Sequence, residues 1–133
     1  MIELSVVMAI SGLVVALALP PLARALDGLS THGAIEETEA ACVLARHTAL
    51  ERATFATVTF DTVAGAVTVT AAGDTVARRT VGPRYGIALD ASRLAITYAP
   101  NGLGYGAANV RVIAARGRAA DTLYISRLGR VRH

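Results

Sequence analysis

From Leu4 to Leu22 no charged residue appears, and only Ser5, Ser11, Gly12 and the Pro20-Pro21 pair interrupt the apolar run. Nineteen residues at the α-helical rise cover about 30 Å, the thickness of a hydrocarbon core. The pattern predicts a spanning helix. A secretory signal peptide would need a basic start and a small-residue cleavage site. Here Glu3 leads, and prolines stand where cleavage would fall. Because each proline lacks a donor and crowds the preceding turn, Pro20 and Pro21 are expected to bend or interrupt the helix. Beyond them the pattern stays helical but turns polar, with Asp27-Gly28 and His32-Gly33 marking an expected loosened stretch. A firmer helix is expected from about Ala34 to Ala53. Ile35, Cys42, Ala45, Ala49 and Ala53 follow helical spacing and should face a body. Glu36, Glu37 and Glu39 would then sit in its first turns and Arg46 and Arg52 near its end, complementing the helix dipole.

After Phe55 the period changes to two. The runs ATVTFDT, AVTVTA, TVARRTV, GIAL, LAITYA, NVRVIAA and DTLYISR are short and alternating or β-branched. Turn signals separate them at Ala64-Gly65, Gly73-Asp74, Gly82-Pro83, Pro100-Asn101-Gly102 and Gly117. The expected fold class is α+β: a long N-terminal helix, transmembrane in its first half and amphipathic in its second, packed on an antiparallel sheet or small β-sandwich. The organisation divides into residues 1–23 as the membrane half of the helix, 24–54 as its amphipathic half, and 55–133 as a β-rich head.

With 133 residues, the chain has room for one small core. Trp is absent and aromatics are 5% of residues, so Ala and Val must carry that core. Every basic residue other than histidine is Arg. Up to residue 77 three arginines face eight acids, a balance of −5; from Arg78 onward ten arginines face Asp90 and Asp121, a balance of +8. Nucleic acid, lipid headgroups or an acidic partner would each answer such a C-terminal half. The alternative is a solvated surface with its charges spread over several faces.

Candidate chemistry is sparse. Gly102 to Gly106, GLGYG, resembles a phosphate-cradling loop but opens onto a strand rather than a helix N-terminus, so it reads as a turn. His32, His47 and His133 are dispersed, and although His47 and Glu51 share a helical face, no third ligand is spaced to join them. Cys42 reads as a small core residue. No nucleophile elbow or carboxylate pair stands out, and the reading is of a protein that is not an enzyme and uses no metal or cofactor. The C-terminal run differs. Arg111, Arg116, Arg118, Arg127, Arg130 and Arg132 are offset only by Asp121. Alternation places Arg130 and Arg132 on one side of a strand with Val131 on the other. Two planar guanidinium forks there suit neighbouring phosphates, while charge on an edge strand also guards against sheet-to-sheet aggregation.

Taken together, these residues resemble the type IV pilin-like superfamily, and more narrowly its GspH/FimT group of minor pseudopilins. Ile2-Glu3-Leu4, the apolar run through Leu19 and Pro20 resemble the N-terminal helix of the superfamily. Ala45-Arg46-His47-Thr48-Ala49-Leu50-Glu51-Arg52 is similar to the segment preceding the first strand of GspH-type heads. Ile96 to Gly102 and Leu123 to Val131 resemble the group's closing strands.

The resemblance implies a structural subunit of a type II secretion pseudopilus or a type IV pilus, near the filament tip. It implies a single pass through the inner membrane of a Gram-negative-type bacterium, with the head in the periplasm. The implied partners are other pilins through the N-terminal helix, the membrane itself, and a prepilin peptidase that cuts and methylates the full precursor. The resemblance aligns Met1 with the residue immediately before the Ile of the Ile-Glu pair, so it is expected to be an internal methionine of a longer precursor. Glu3 would pair with the N-terminal ammonium of a neighbouring subunit, and Pro20 would supply the bend. The alternative implied by FimT-type members is double-stranded DNA binding for natural transformation, through a Gly-Arg-x-Arg element that Gly129-Arg130-Val131-Arg132 matches. Arg111, Arg116, Arg118 and Arg127 are the further candidate anion contacts.

Overall fold

The computed structural model describes residues 2–106, 109–128 and 130–132. Helix α1 runs unbroken over Ile2–Glu51, about 75 Å at the α-helical rise. The expected interruption at Pro20-Pro21 and the loosened stretch at Asp27-Gly28 and His32-Gly33 are therefore corrected: all lie inside continuous helix. From Asp27 onward, local propensity is overridden by the head. Arg116 binds Asp27 and Ser30 across the supposed weak point. The Ser30 and Thr31 hydroxyls return to the carbonyls of Leu26 and Gly28. Gly33 serves close packing, since a Cβ there would lie 2.8 Å from Cε1 of Tyr85.

Through Leu26 the described side chains of α1 are exposed; burial begins at Asp27. Ala34, Ile35, Ala41, Cys42, Ala45 and Ala49 are buried with Thr31, Thr38 and Thr48. Small side chains at these positions let the helix axis approach the strands closely, which is the structural use of the alanine-rich composition. Ala53 does not join this face. It lies beyond the helix end, exposed, at φ 48°. Because α1 begins at Ile2, Glu36, Glu37 and Glu39 occupy its interior rather than a first turn, and its last turn carries no basic residue. The dipole reading of these charges therefore falls; Glu37 pairs instead with Arg79 and Arg84 of the head, and Glu36 with His32 one turn earlier on the same helix.

The seven alternating runs all contain strands: β1 (Ala56–Asp61), β2 (Ala66–Ala71), β3 (Asp74–Arg79), β4 (Ala88–Ala91), β5 (Ala95–Tyr98), β7 (Val110–Arg116) and β8 (Ala119–Ile125). Two short strands, β6 (Gly104–Tyr105) and β9 (Val131–Arg132), complete the set among the described residues. TVARRTV leaves the sheet at Arg79, and Val81–Tyr85 forms a helical turn, α2, whose C-cap Gly86 is left-handed. The Gly82-Pro83 signal falls within α2. There Gly82 donates to the carbonyl of Gly65 in the β1–β2 turn at 2.8 Å, and a Cβ on Gly65 would meet the Gly82 Cα at 2.6 Å. Only glycines permit that approach.

The strands form two sheets, in the orders β3-β2-β1-β5-β6 and β4-β7-β8-β9, with every pairing antiparallel. The chain leaves the first sheet for β4, returns for β5 and β6, and leaves again for β7. This interleaving ties the sheets together, and α1 packs on both. One shared core results, with Val58, Phe60, Val67, Val69, Ile96 and Tyr98 from the first sheet meeting Val112, Ala114, Leu123 and Ile125 from the second.

Candidate functional site

The second sheet shows how the C-terminal arginines are distributed. On β7, Val110, Val112 and Ala114 turn into the core while Arg111 is exposed; on β8, Leu123 and Ile125 turn inward and Tyr124 outward. Register pairs Arg111 with Tyr124, and Tyr124 with Arg132. An arginine–tyrosine–arginine row therefore crosses the outer face, its ends about 10 Å apart at the usual strand spacing. Val131 packs against the core, so Arg132 points outward as strand alternation requires.

Arg130 joins the row from the β8–β9 turn. That turn is closed by the Ser126 N–H donating to the Arg130 carbonyl at 2.9 Å and the Arg130 N–H donating to Ser126 Oγ at 3.2 Å. Arg111 is held at the other side, where its N–H donates to Ser92 Oγ at 2.9 Å. The result is a groove of about 600 Å³ with Arg111, Arg130 and Arg132 around Tyr124 and Leu128. Among the described residues no carboxylate lines it. By register the nearest acid on this face is Asp90, opposite Ile113 and one row along from Arg111.

The other sequence candidates lie elsewhere. Arg127 borders a separate hollow of about 270 Å³ beside Gly104 and Tyr105; its N–H donates to Asn109 Oδ1, and its carbonyl accepts from Gly104. Arg118 is exposed in the β7–β8 turn. Arg116 sits at the far end of β7, ~17 Å from Arg111 along the strand. There its Nε lies 3.0 Å from Asp27, and one NH group donates to Ser30 Oγ at 2.9 Å and to the Tyr85 carbonyl at 2.7 Å. These bonds make Arg116 a strut between stem and head rather than an open anion contact. Gly129 and His133 lie outside the described residues, as does Met1. GLGYG forms strand β6, flanked by left-handed Gly102 and Gly106.

Other polar groups serve the junction between α1 and the head. Glu37, its side chain only 10% exposed, lies 3.4 Å from both Arg79 and Arg84. His32 Nδ1 stands 3.1 Å from Asp121 on β8, and Nε2 stands 3.4 Å from Glu36. The hydrogen bond to Asp121, then the charge of Glu36, raises the His32 pKa above its usual value. Burial, reinforced by the charge of Glu39, pushes the Cys42 thiol up to about 12, against the opposing hydrogen bond to Tyr98. A thiol so placed stays protonated and unreactive at neutral pH.

Tyr124, Leu128, Ser92 and Asn109 escaped the sequence reading. Alternation in LYISR already set Tyr124 against Leu123 and Ile125, but its place between two arginines depends on strand register.

Two solved structures share this architecture: the type IV minor pilin FimU of Pseudomonas aeruginosa strain PAO1, in two crystal forms. One aligns with a TM-score of 0.64 over 77% of this chain and 86% of FimU. The other gives 0.61 over 76% and 90%. The chain has the type IV pilin fold. Identity is 16% in both alignments, so the likeness is one of fold. No family model and no curated protein matches the chain in sequence. Among the described residues, α1 is the one helix long and apolar enough to cross a membrane.

Proposed function

We propose that the chain is a minor pilin-type assembly subunit of the GspH/FimT kind, anchored by one pass in an inner membrane with its head in the periplasm. On this reading residues 1–23 span the membrane, 24–54 carry the helix into the head, and 55–133 present a surface to partners. The carrying observation is the bare first half of α1. Its described side chains from Glu3 to Leu26 are all exposed, and leucines, valines and Met8 dominate them. Such a surface requires lipid before assembly and neighbouring helices after it. Type II secretion and type IV pilus filaments would both provide that exchange of surroundings. The test is to tag the protein at its native locus, shear the filaments and immunoblot them. Recovery with the filament supports the reading; retention wholly in the membrane, with filaments unaltered on deletion of the gene, overturns it.

The arginine groove favours a second role in DNA binding. Arg111, Arg130 and Arg132 converge, with no carboxylate among the described lining residues, an arrangement suited to phosphate contacts. The full chain in uncharged detergent should bind duplex DNA with an affinity that falls steeply as salt rises. Changing Arg130 and Arg132 together to Gln should weaken binding and flatten the logarithmic salt slope by about two. Unchanged binding in that variant would remove the groove from the DNA reading.

A further inference from the structure

Resting on that DNA reading, we infer that the groove takes single-stranded nucleic acid in preference to duplex, with Tyr124 as a stacking platform between two phosphate clamps. Tyr124 is 54% exposed although both its sequence neighbours, Leu123 and Ile125, are buried or nearly so. Its outward face is therefore fixed by the strand rather than by a flexible loop. Arg111 and Arg132 stand directly opposite it on either side. Leu128, 59% exposed, adds a second apolar surface in the same groove, and Arg130 adds a third guanidinium.

In a duplex the bases are stacked inside and offer this face only sugar and phosphate, leaving the ring of Tyr124 without a matching surface. A single strand can turn a base outward onto the ring while phosphates on either side of that nucleotide reach Arg111 and Arg132. A positively charged groove with an aromatic floor is the general form of a single-strand site. Its volume, about 600 Å³, lies in the usual ligand-pocket range of about 300–1,000 Å³. Stacking tolerates any base, so the site would follow length and salt rather than sequence. An acidic peptide would also answer the arginines but would leave the ring without a planar partner.

The test uses the full chain in uncharged detergent, titrated with fluorescent oligothymidylate of about a dozen nucleotides, the matching duplex and poly-glutamate. Tighter binding of the single strand is expected, with roughly tenfold loss in Tyr124→Ala and near-complete retention in Tyr124→Phe. Thermal melts of both variants check that the head is intact; Tyr124→Leu, which keeps apolar bulk without a π face, supplies a second reading of the same effect. Equal binding of single strand and duplex, indifferent to Tyr124→Ala but weakened by the arginine double variant, would overturn the stacking inference and leave the DNA reading standing. No binding of either nucleic acid at low salt would overturn both. Poly-glutamate binding as tight as the oligonucleotide's would make the groove an acidic-peptide site instead.

Discussion

On the proposed assembly role, replacing Glu3 with Gln is expected to leave the chain in the membrane and drive it out of the filament. Glu3 lies in the first turn of α1, among exposed apolar side chains such as Leu4, Val7 and Met8. Its carboxylate at a helix N-terminus gains about 0.3–1 kcal/mol from the dipole. Loss of so small a local term would not exclude a subunit. A lone carboxylate in hydrocarbon, by contrast, carries a penalty of about 3 kcal/mol or more that a neighbouring ammonium can relieve. Gln keeps the size and helix propensity of Glu but lacks the charge, so on the proposed assembly role the drive to dock should disappear while insertion continues. Fractionation should therefore show normal membrane levels, and the sheared filament fraction should fall by roughly tenfold or more, which corresponds to about 1.4 kcal/mol or greater. Glu3→Asp should fall between the two. Unimpaired incorporation of Glu3→Gln would remove Glu3 from the docking step.

The strands were legible because alternation is a local signal bounded by local turn residues, as in ATVTFDT and AVTVTA. The long helix was legible as well, but its continuity was not. Pro20, Pro21, Gly28 and Gly33 all weaken a helix locally, and what sustains it beyond residue 26 comes from distant segments: Arg116 on β7, Tyr85 on α2 and Asp121 on β8. Glu37 makes the same point. Its neighbours in sequence suggested a helix-dipole role, whereas its ion pairs are with Arg79 on β3 and Arg84 on α2.

The candidate site was half legible for a related reason. Alternation was enough to put Arg130 and Arg132 on one side of the chain. Recruiting Arg111 and Tyr124, and discharging Arg116, required the register of β7, β8 and β9. The two ends of β7 consequently do different work. Arg116 ties α1 to the head through Asp27 and Ser30, and Arg111 faces the groove ~17 Å away. At that separation their substitutions should act independently.

Phe60→Ala is expected to be among the most damaging substitutions in the head. The chain has two phenylalanines; Phe55 is exposed, packed edge-on to Tyr105 with centroids 5.2 Å apart, while Phe60 is 1% exposed. Phe60 faces Val67 across the β1–β2 ladder, and its N–H donates to the Leu94 carbonyl at 2.7 Å. It is anchored in a core built largely from alanine, valine and isoleucine on strands and helix. Those side chains are short and rotationally restricted, so they cannot move into the vacated space. The expected cost is about 3–5 kcal/mol, against the usual total of about 5–15 kcal/mol for a domain. For a head of this size that lowers the melting midpoint by on the order of 20 °C, measurable by circular dichroism on the full chain in detergent. Thr59→Ala, next in sequence but exposed on the outer face, should move it by only a few degrees. A comparable small shift for Phe60→Ala would mean that the core collapses around the cavity, and that close packing between helix and sheets is not what holds the head together.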